Sequence, residues 1–464
     1  MSSKYVIHTK QVPDRFKALS KSGVIAWEEG CLKCAVCVKK QCVYGVYDNR
    51  GLDPRQMIDS IDNQCMNCYR CVQSCPKELI QKSINPEFKV MGDTHWTPDI
   101  IARLWYQAQT GKIPVSGAGY PGPFTGPGFD SMWTDMSEIV RPTRDGIHGR
   151  EYISTSIDIG SIPKQLMFSD KGDLIGREPL VMDIPLPIIF RLPSFGSISE
   201  NTLMGWARAA RHLGILLALP AKLINGNLEG YKSNLIPIFS AEDKVKKLGD
   251  EIRMVKVLWD GKNKKLLETV RRLYPRTLIA VSLPLKKGSL KEITDLISEG
   301  YSIFNLEATF QGRSADDQSR FAKDDIRSIH QTLVKDGIRN EITLTASGGF
   351  AMAEHVAKAV ICGVDGVFID FPILIALECR MCRRCEKGLT CPVEIENASQ
   401  KWVAARTENM MGAWHNQLLE IMGAMGIREA RRLRGEAGRA MFFDELDREI
   451  FGTMDKLEEG LELE

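Results

Sequence analysis

Twelve of the thirteen cysteines fall into three tight groups of four, and this placement constrains the chain more than any other feature. The groups are Cys31, Cys34, Cys37 and Cys42; Cys65, Cys68, Cys71 and Cys75; and Cys379, Cys382, Cys385 and Cys391. Cys362 stands alone in the apolar run VAKAVICGV, where a buried core thiol is expected. Disulfide frameworks belong to oxidising compartments. The opening residues MSSKYVIHTK lack the apolar core of a signal peptide. No run approaches the ~20 apolar residues that a membrane span needs. A cytoplasmic chain is therefore expected, and in reducing surroundings clustered cysteines point to metal ligation.

The second group, with Pro76 after it, reads C-x2-C-x2-C-x3-C-P. The first has four residues before its last cysteine and Val43 where the second has proline. Zinc sites pair two C-x2-C arms across a longer gap, whereas a triple followed by a fourth cysteine, twice over, suits iron–sulfur clusters. Residues 30–80 resemble the two-cluster bacterial ferredoxins. In that arrangement three close thiolates wrap one cubane and the fourth reaches across to the other. The resemblance implies one [4Fe-4S] cluster on Cys31, Cys34, Cys37 and Cys75, and another on Cys65, Cys68, Cys71 and Cys42. Residues 30–79 show little apolar periodicity, so bound clusters would take the place of a core. The third group also opens C-x2-C-x2-C and ends in Pro392; a third cluster is expected there, with zinc as the alternative.

At 464 residues the chain is long enough for two or three domains, and its 44% apolar content can bury a sizeable core. A formal net charge of +2 gives no electrostatic reason to expect nucleic acid. From residue 187 onward, short β-branched runs (187–190, 214–219, 253–258, 277–282, 302–306, 342–346 and 366–371) alternate with amphipathic ones. The runs with helical spacing are 199–212, 263–273, 290–298, 324–335 and 353–360. Strand-then-helix repetition predicts a parallel sheet with helices outside, and about seven such steps favour a closed barrel over an open sheet. The Gly/Pro-rich stretch 117–128 predicts a loop, and a helical C-terminal region follows Pro392.

Three stretches carry a second resemblance: SFGSIS (194–199), HQTLVKDGIRNEITLTASGGF (330–350) and LIALECRMCRRCEKGLTCPVEI (374–395). Together they resemble the synthase domain of glutamate synthases, and the whole layout resembles the archaeal-type members. The resemblance implies an α/β fold: a (β/α)8 TIM barrel, a small N-terminal ferredoxin-like domain and a helical C-terminal extension. It implies FMN in the barrel, with Ser194, Gly196 and Ser197 near the ring and the turn Ser347, Gly348, Gly349 at the phosphate. It places Cys379, Cys385 and Cys391 on a [3Fe-4S] cluster; Cys382 is additional and would complete a [4Fe-4S] cluster.

The departures are specific. The family's strand lysine falls at Pro284, its acidic loop at residues 217–224, and its aspartate–glycine loop at 306–317. Its second phosphate turn reads Phe368-Ile369-Asp370-Phe371, where an aspartate repels a phosphate dianion. No glutaminase-type N-terminal cysteine is present.

Among lesser candidates, Arg141, Arg144, His148 and Arg150 suit a charged loop tying modules together, or an acidic ligand. His330 and His355 read as satisfied helix residues, and 429–439 as a salt-bridged helix pair with a glycine break. The expected division is 1–90, 91–180, 181–395 and 396–464. The sequence names no catalytic residue. Three functions follow in order: an iron–sulfur relay feeding an FMN, an electron-transfer subunit with no flavin, and a ferredoxin-type glutamate synthase. Other redox subunits or carriers are the expected partners, in a larger complex.

Overall fold

The structure is a computed structural model describing residues 5–16, 18–26, 30–50, 61, 64–113, 126–134, 153–163, 165–175, 179–450 and 452. Eight parallel strands close into a barrel: β1 (Ile188–Arg191), β2 (Leu217–Pro220), β3 (Leu235–Phe239), β4 (Met254–Leu258), β5 (Leu278–Pro284), β6 (Ile303–Glu307), β7 (Thr343–Ser347) and β8 (Gly366–Ile369). β8 returns to β1 with Phe368 opposite Ile189. Parallel strands buried on both faces need continuous apolar runs, and Ile188, Ile189 and Phe190 are all buried.

Eight helices matter for the site: α1 (Pro98–Thr110), α2 (Glu200–Leu213), α3 (Lys264–Leu273), α4 (Ser289–Ser298), α5 (Ala322–Lys335), α6 (Ala353–Cys362), α7 (Phe371–Ile375) and α8 (Gln400–Ala424). The expected helical runs at 199–212, 263–273, 290–298, 324–335 and 353–360 are α2 to α6. Ser199 caps α2 by accepting from the Thr202 amide at 3.3 Å, and Gly214 ends it in the left-handed conformation.

Sequence alternation showed seven strands because β3 has no helix on either side. Only 3₁₀ turns (Ala221–Leu223, Gly226–Asn234) join β2 to β3. β3 also carries Pro237, a residue that argues against a central strand.

The N-terminal end of the barrel is closed by an antiparallel pair, Ile157–Gly160 with Val181–Ile184. Gly160 and Thr343, the first residue of β7, exchange two hydrogen bonds of 2.9 Å. α8 packs against α1 and α2 and binds the start of the chain. Fully buried Arg406 donates to the Ala376 carbonyl and Asp14 Oδ1, each at 2.6 Å, while Asn409 Nδ2 donates to the Lys10 carbonyl at 2.6 Å.

The expected helix pair at 429–439 is one turn (Ala430–Leu433) and a 3₁₀ turn (Ala437–Arg439). Its arginines mostly reach outward: Arg431 pairs with Asp158 and Asp183, and Arg434 with Asp365. Cys362 is buried in α6 against Met132, as a core thiol. Among the described residues no helix is long and apolar enough to cross a membrane.

Candidate functional site

The first two cysteine groups lie between the antiparallel strands Ser22–Ala26 and Ile80–Ile84 and their connecting loops. Their core is small: Val38, Val46, Tyr47, Cys71 and Ile80. Two hollows open on it. One, of about 570 Å³, is lined by Cys31, Cys34, Cys37 and Cys75; the other, of about 290 Å³, by Cys42, Cys65, Cys68 and Cys71. The last cysteine of each group therefore lines the hollow of the other group. Tyr47 lies on both.

Donors point at the sulfurs. Lys82 Nζ lies 2.8 Å from Cys65 Sγ, and the Leu79 amide 3.4 Å from Cys75 Sγ. Burial pushes the Cys37 thiol up. Among the described residues no three His, Cys, Asp or Glu side chains gather as a single metal ion requires. The donor set, eight thiols around two hollows, has the chemistry and the ligand count of two cubanes.

The third group lies beyond α7, at the C-terminal end of the barrel. Its hollow, of about 330 Å³, is lined by Cys379, Cys382, Cys385 and Cys391 together with Phe195, Gly196 and Ser197. The Met381 amide points at Cys379 Sγ at 3.4 Å, and the Gly196 amide points at Cys385. Burial pushes the Cys379 thiol up to about 12, so only a bound cation would hold it as thiolate at neutral pH. The loop is pinned to the barrel from several sides. Trp105 Nε1 donates to the Cys379 carbonyl at 3.3 Å, and Glu378 accepts from the Arg15 amide at 2.8 Å. The Arg383 guanidinium lies over the rings of Phe195 and Phe310. The arginine charges of this loop are partly answered: Arg383 pairs with Glu386, and Arg380 approaches Glu87 at 3.9 Å.

Barrel enzymes hold phosphate at the loops after strands 7 and 8 and at the start of a short extra helix. Here α7 is that helix, and the protein's own carboxylate stands before it. Asp370 is buried and accepts from the Phe371 amide at 2.7 Å. Burial pushes its pKa up, with Arg191 opposing. The turn Ser347-Gly348-Gly349 is closed by its neighbours. The Ala308 amide donates to the Ser347 carbonyl at 2.8 Å. His95 Nε2 lies 2.8 Å from the Gly349 carbonyl, which can only accept, so that nitrogen carries the proton. A Cβ on Gly348 would collide with the carbonyls of Ala308 and Thr309, and one on Gly349 with the Gly312 backbone. The glycines let two loops touch and do not form an open cradle. The residues at this position do not fit a flavin phosphate. Of the other residues expected near a flavin, Gly196 and Ser197 line the third cysteine hollow, and Ser194 is exposed.

A charged cluster at the barrel mouth escaped the sequence reading. Lys256 of β4 is fully buried, with Nζ 3.0 Å from Glu307 Oε1 at the end of β6. Ser282 Oγ donates to the same oxygen at 2.8 Å, and Arg191 lies 3.5 Å from it. Arg191 also donates to Ser347 Oγ at 3.1 Å. Burial pushes Lys256 down to about 8 against the pull of Glu307. Burial alone would raise Glu307, but Lys256 and Arg191 hold it down at about 2. The available signal was a lysine inside the apolar strand MVKVL.

Arg141, Arg144, His148 and Arg150 lie outside the described residues. His330 accepts from Arg339 Nε at 3.2 Å, and His355 Nε2 bonds Asp130 at 2.9 Å. Both histidines are satisfied packing residues.

Residues 323–428 match the family described as a conserved region in glutamate synthase. An archaeal-type glutamate synthase (NADPH) of Dehalococcoides mccartyi is 23% identical, covering 88% of this chain and 92% of its own length. An archaeal glutamate synthase (NADPH) of Archaeoglobus fulgidus is 24% identical, covering 92% and 95%. Over about nine-tenths of its length the chain is thus similar to archaeal-type glutamate synthases. Among solved structures, the recombinant flavin-binding domain of baker's yeast flavocytochrome b2 aligns with this chain at a TM-score of 0.38 and 13% identity. That alignment covers 66% of this chain and 80% of that one.

Proposed function

We propose that this chain is a cytoplasmic iron–sulfur electron carrier built on a glutamate-synthase-like barrel. Cys31, Cys34, Cys37 and Cys75 hold one [4Fe-4S] cluster, and Cys42, Cys65, Cys68 and Cys71 hold another. The loop from Cys379 to Cys391 holds a third. One observation carries this reading: the last cysteine of each N-terminal group lines the other group's hollow, the interleaving that two adjacent cubanes require. Bound clusters would supply one-electron storage and transfer. The chain's own residues exclude water, fix the thiols and set the charge around them. Lys82 at Cys65 favours the more negative, reduced state of its cluster, so Lys82→Met should shift that potential downward. Electrons pass to or from another redox subunit or carrier, within a larger complex.

A second reading, a glutamate synthase with flavin in the barrel, follows from the similarity to archaeal-type glutamate synthases. The observation favouring it is the pair of cations at the barrel mouth, Lys256 and Arg191, at the end where barrel enzymes keep their sites. Against it stands Asp370 at the phosphate position. Protein purified without oxygen separates the two. Iron and sulfide with no acid-extractable flavin and no 2-oxoglutarate turnover supports the carrier. About one flavin per chain with turnover supports the synthase. Stoichiometric zinc with little iron sinks both.

A further inference from the structure

The backbone of the three cysteine loops repeats. Left-handed φ is uncommon outside glycine, yet each triple carries it on both residues flanking the middle cysteine. These are Lys33 and Ala35 around Cys34, Asn67 and Tyr69 around Cys68, and Met381 and Arg383 around Cys382, all with φ between 53° and 60°. The middle cysteine is also the exposed one in each triple: Cys34, Cys68 and Cys382. Six strained residues at matching positions describe one loop used three times. Under the proposed function the middle thiols Cys34 and Cys68 belong to the ligand sets of the first two clusters.

The ends of the second and third groups repeat as well. Cys75-Pro76-Lys77-Glu78 and Cys391-Pro392-Val393-Glu394 both close with a left-handed glutamate, at φ 53° and 42°. In each, the glutamate amide donates to the cysteine carbonyl, at 3.0 and 3.2 Å.

One difference separates the two loops. After Cys71 the chain continues the turn Arg70–Gln73, and Cys75 is delivered to the neighbouring hollow. After Cys385 a 3₁₀ turn, Cys385–Lys387, is stopped by Gly388 at φ 68°. The Leu389 amide then bonds back to the Arg384 carbonyl at 3.0 Å. The longer spacing turns the chain round, and Cys391 lines the hollow of its own triple.

We infer that Cys382 is an iron ligand, and that the barrel-side loop holds a complete four-thiolate cubane by itself, in place of the three-cysteine site of glutamate synthases. This rests on the cluster reading above and goes beyond it by assigning the ligand and the cluster type. Cys382 being exposed, its iron is the corner most open to oxidants.

The test compares full-length wild type and Cys382→Ala, both purified without oxygen, by iron count, Mössbauer spectra and electron paramagnetic resonance of the oxidised protein. Wild type is expected to hold about twelve irons in three cubanes, with no three-iron signal. Cys382→Ala is expected to hold about eleven and to gain a three-iron signal of about one spin per chain. A wild type that already shows that signal, unchanged by Cys382→Ala, overturns the inference. So does a wild type with about eight irons and one zinc. Iron near zero in both proteins overturns the carrier reading itself. Should Cys382→Ala not accumulate, the wild-type spectrum still decides between three irons and four.

Discussion

The cysteine-rich N-terminal segment and the barrel differ sharply in how much apolar core each buries. Among the described residues its core is Val38, Val46, Tyr47, Ile80 and one of the cysteines, Cys71. The barrel's core runs continuously from the helix Pro86–Lys89 to Phe442, with Trp96, Trp206 and Trp414 fully inside. A segment this size cannot offset its conformational entropy by apolar burial alone. The barrel can, and even accommodates a lysine, a glutamate and an aspartate at its mouth. Under the proposed function, folding that depends on metal and folding that does not would share one chain.

The sharpest way to break this comparison is to strip the iron with an oxidant and chelator. Amide exchange is expected to lose protection across residues 31–50 and 64–84 and to keep it in β1–β8. Retained protection in residues 31–50 and 64–84 would show that so small a core suffices.

The next largest effect belongs to the barrel. Lys256→Met leaves Glu307 facing one cation where it had two. A loss of about 3 kcal/mol in chemical denaturation of the barrel is expected, with the N-terminal clusters' spectra unchanged. A neutral result would mean that Arg191 alone answers Glu307.

A smaller effect appears with acid. Glu307 protonates near 4.5 in an unfolded chain but near 2 in the folded one. Its contribution is complete above about pH 4.5 and is lost as pH falls toward 2. Glu307→Gln should flatten this part of the barrel's acid unfolding curve. An unchanged slope would place the acid sensitivity elsewhere.

The smallest is Ser399→Ala, which removes the cap on the Trp402 amide at the start of α8. About 1 kcal/mol is expected, in the barrel transition alone.

The barrel was legible because alternating strands and helices leave a periodic trace, and five helical runs fall on α2 to α6. β3 was not, because it stands between 3₁₀ turns and an irregular stretch and carries Pro237. The cysteine groups were legible by spacing. The mouth cluster was not, since Lys256, Glu307, Arg191 and Ser282 sit on four different strands and meet only when the barrel closes. The repeated left-handed residues lie in side chains as varied as Lys33, Tyr69 and Arg383. No composition rule marks them, because the conformation is imposed by the loop and not by residue preference.

The grip of α8 on the start of the chain sets an order of events at the ribosome. Lys10 and Asp14 find their partners, Asn409 and Arg406, only after most of the polypeptide has emerged. The cysteine-rich segment, residues 31–84, emerges before any strand of the barrel and well before that grip can form. A segment that takes up iron, as proposed, can therefore do so before Lys10 and Asp14 dock on α8. A chain whose clusters are loaded late would have to admit its metal into an assembled molecule.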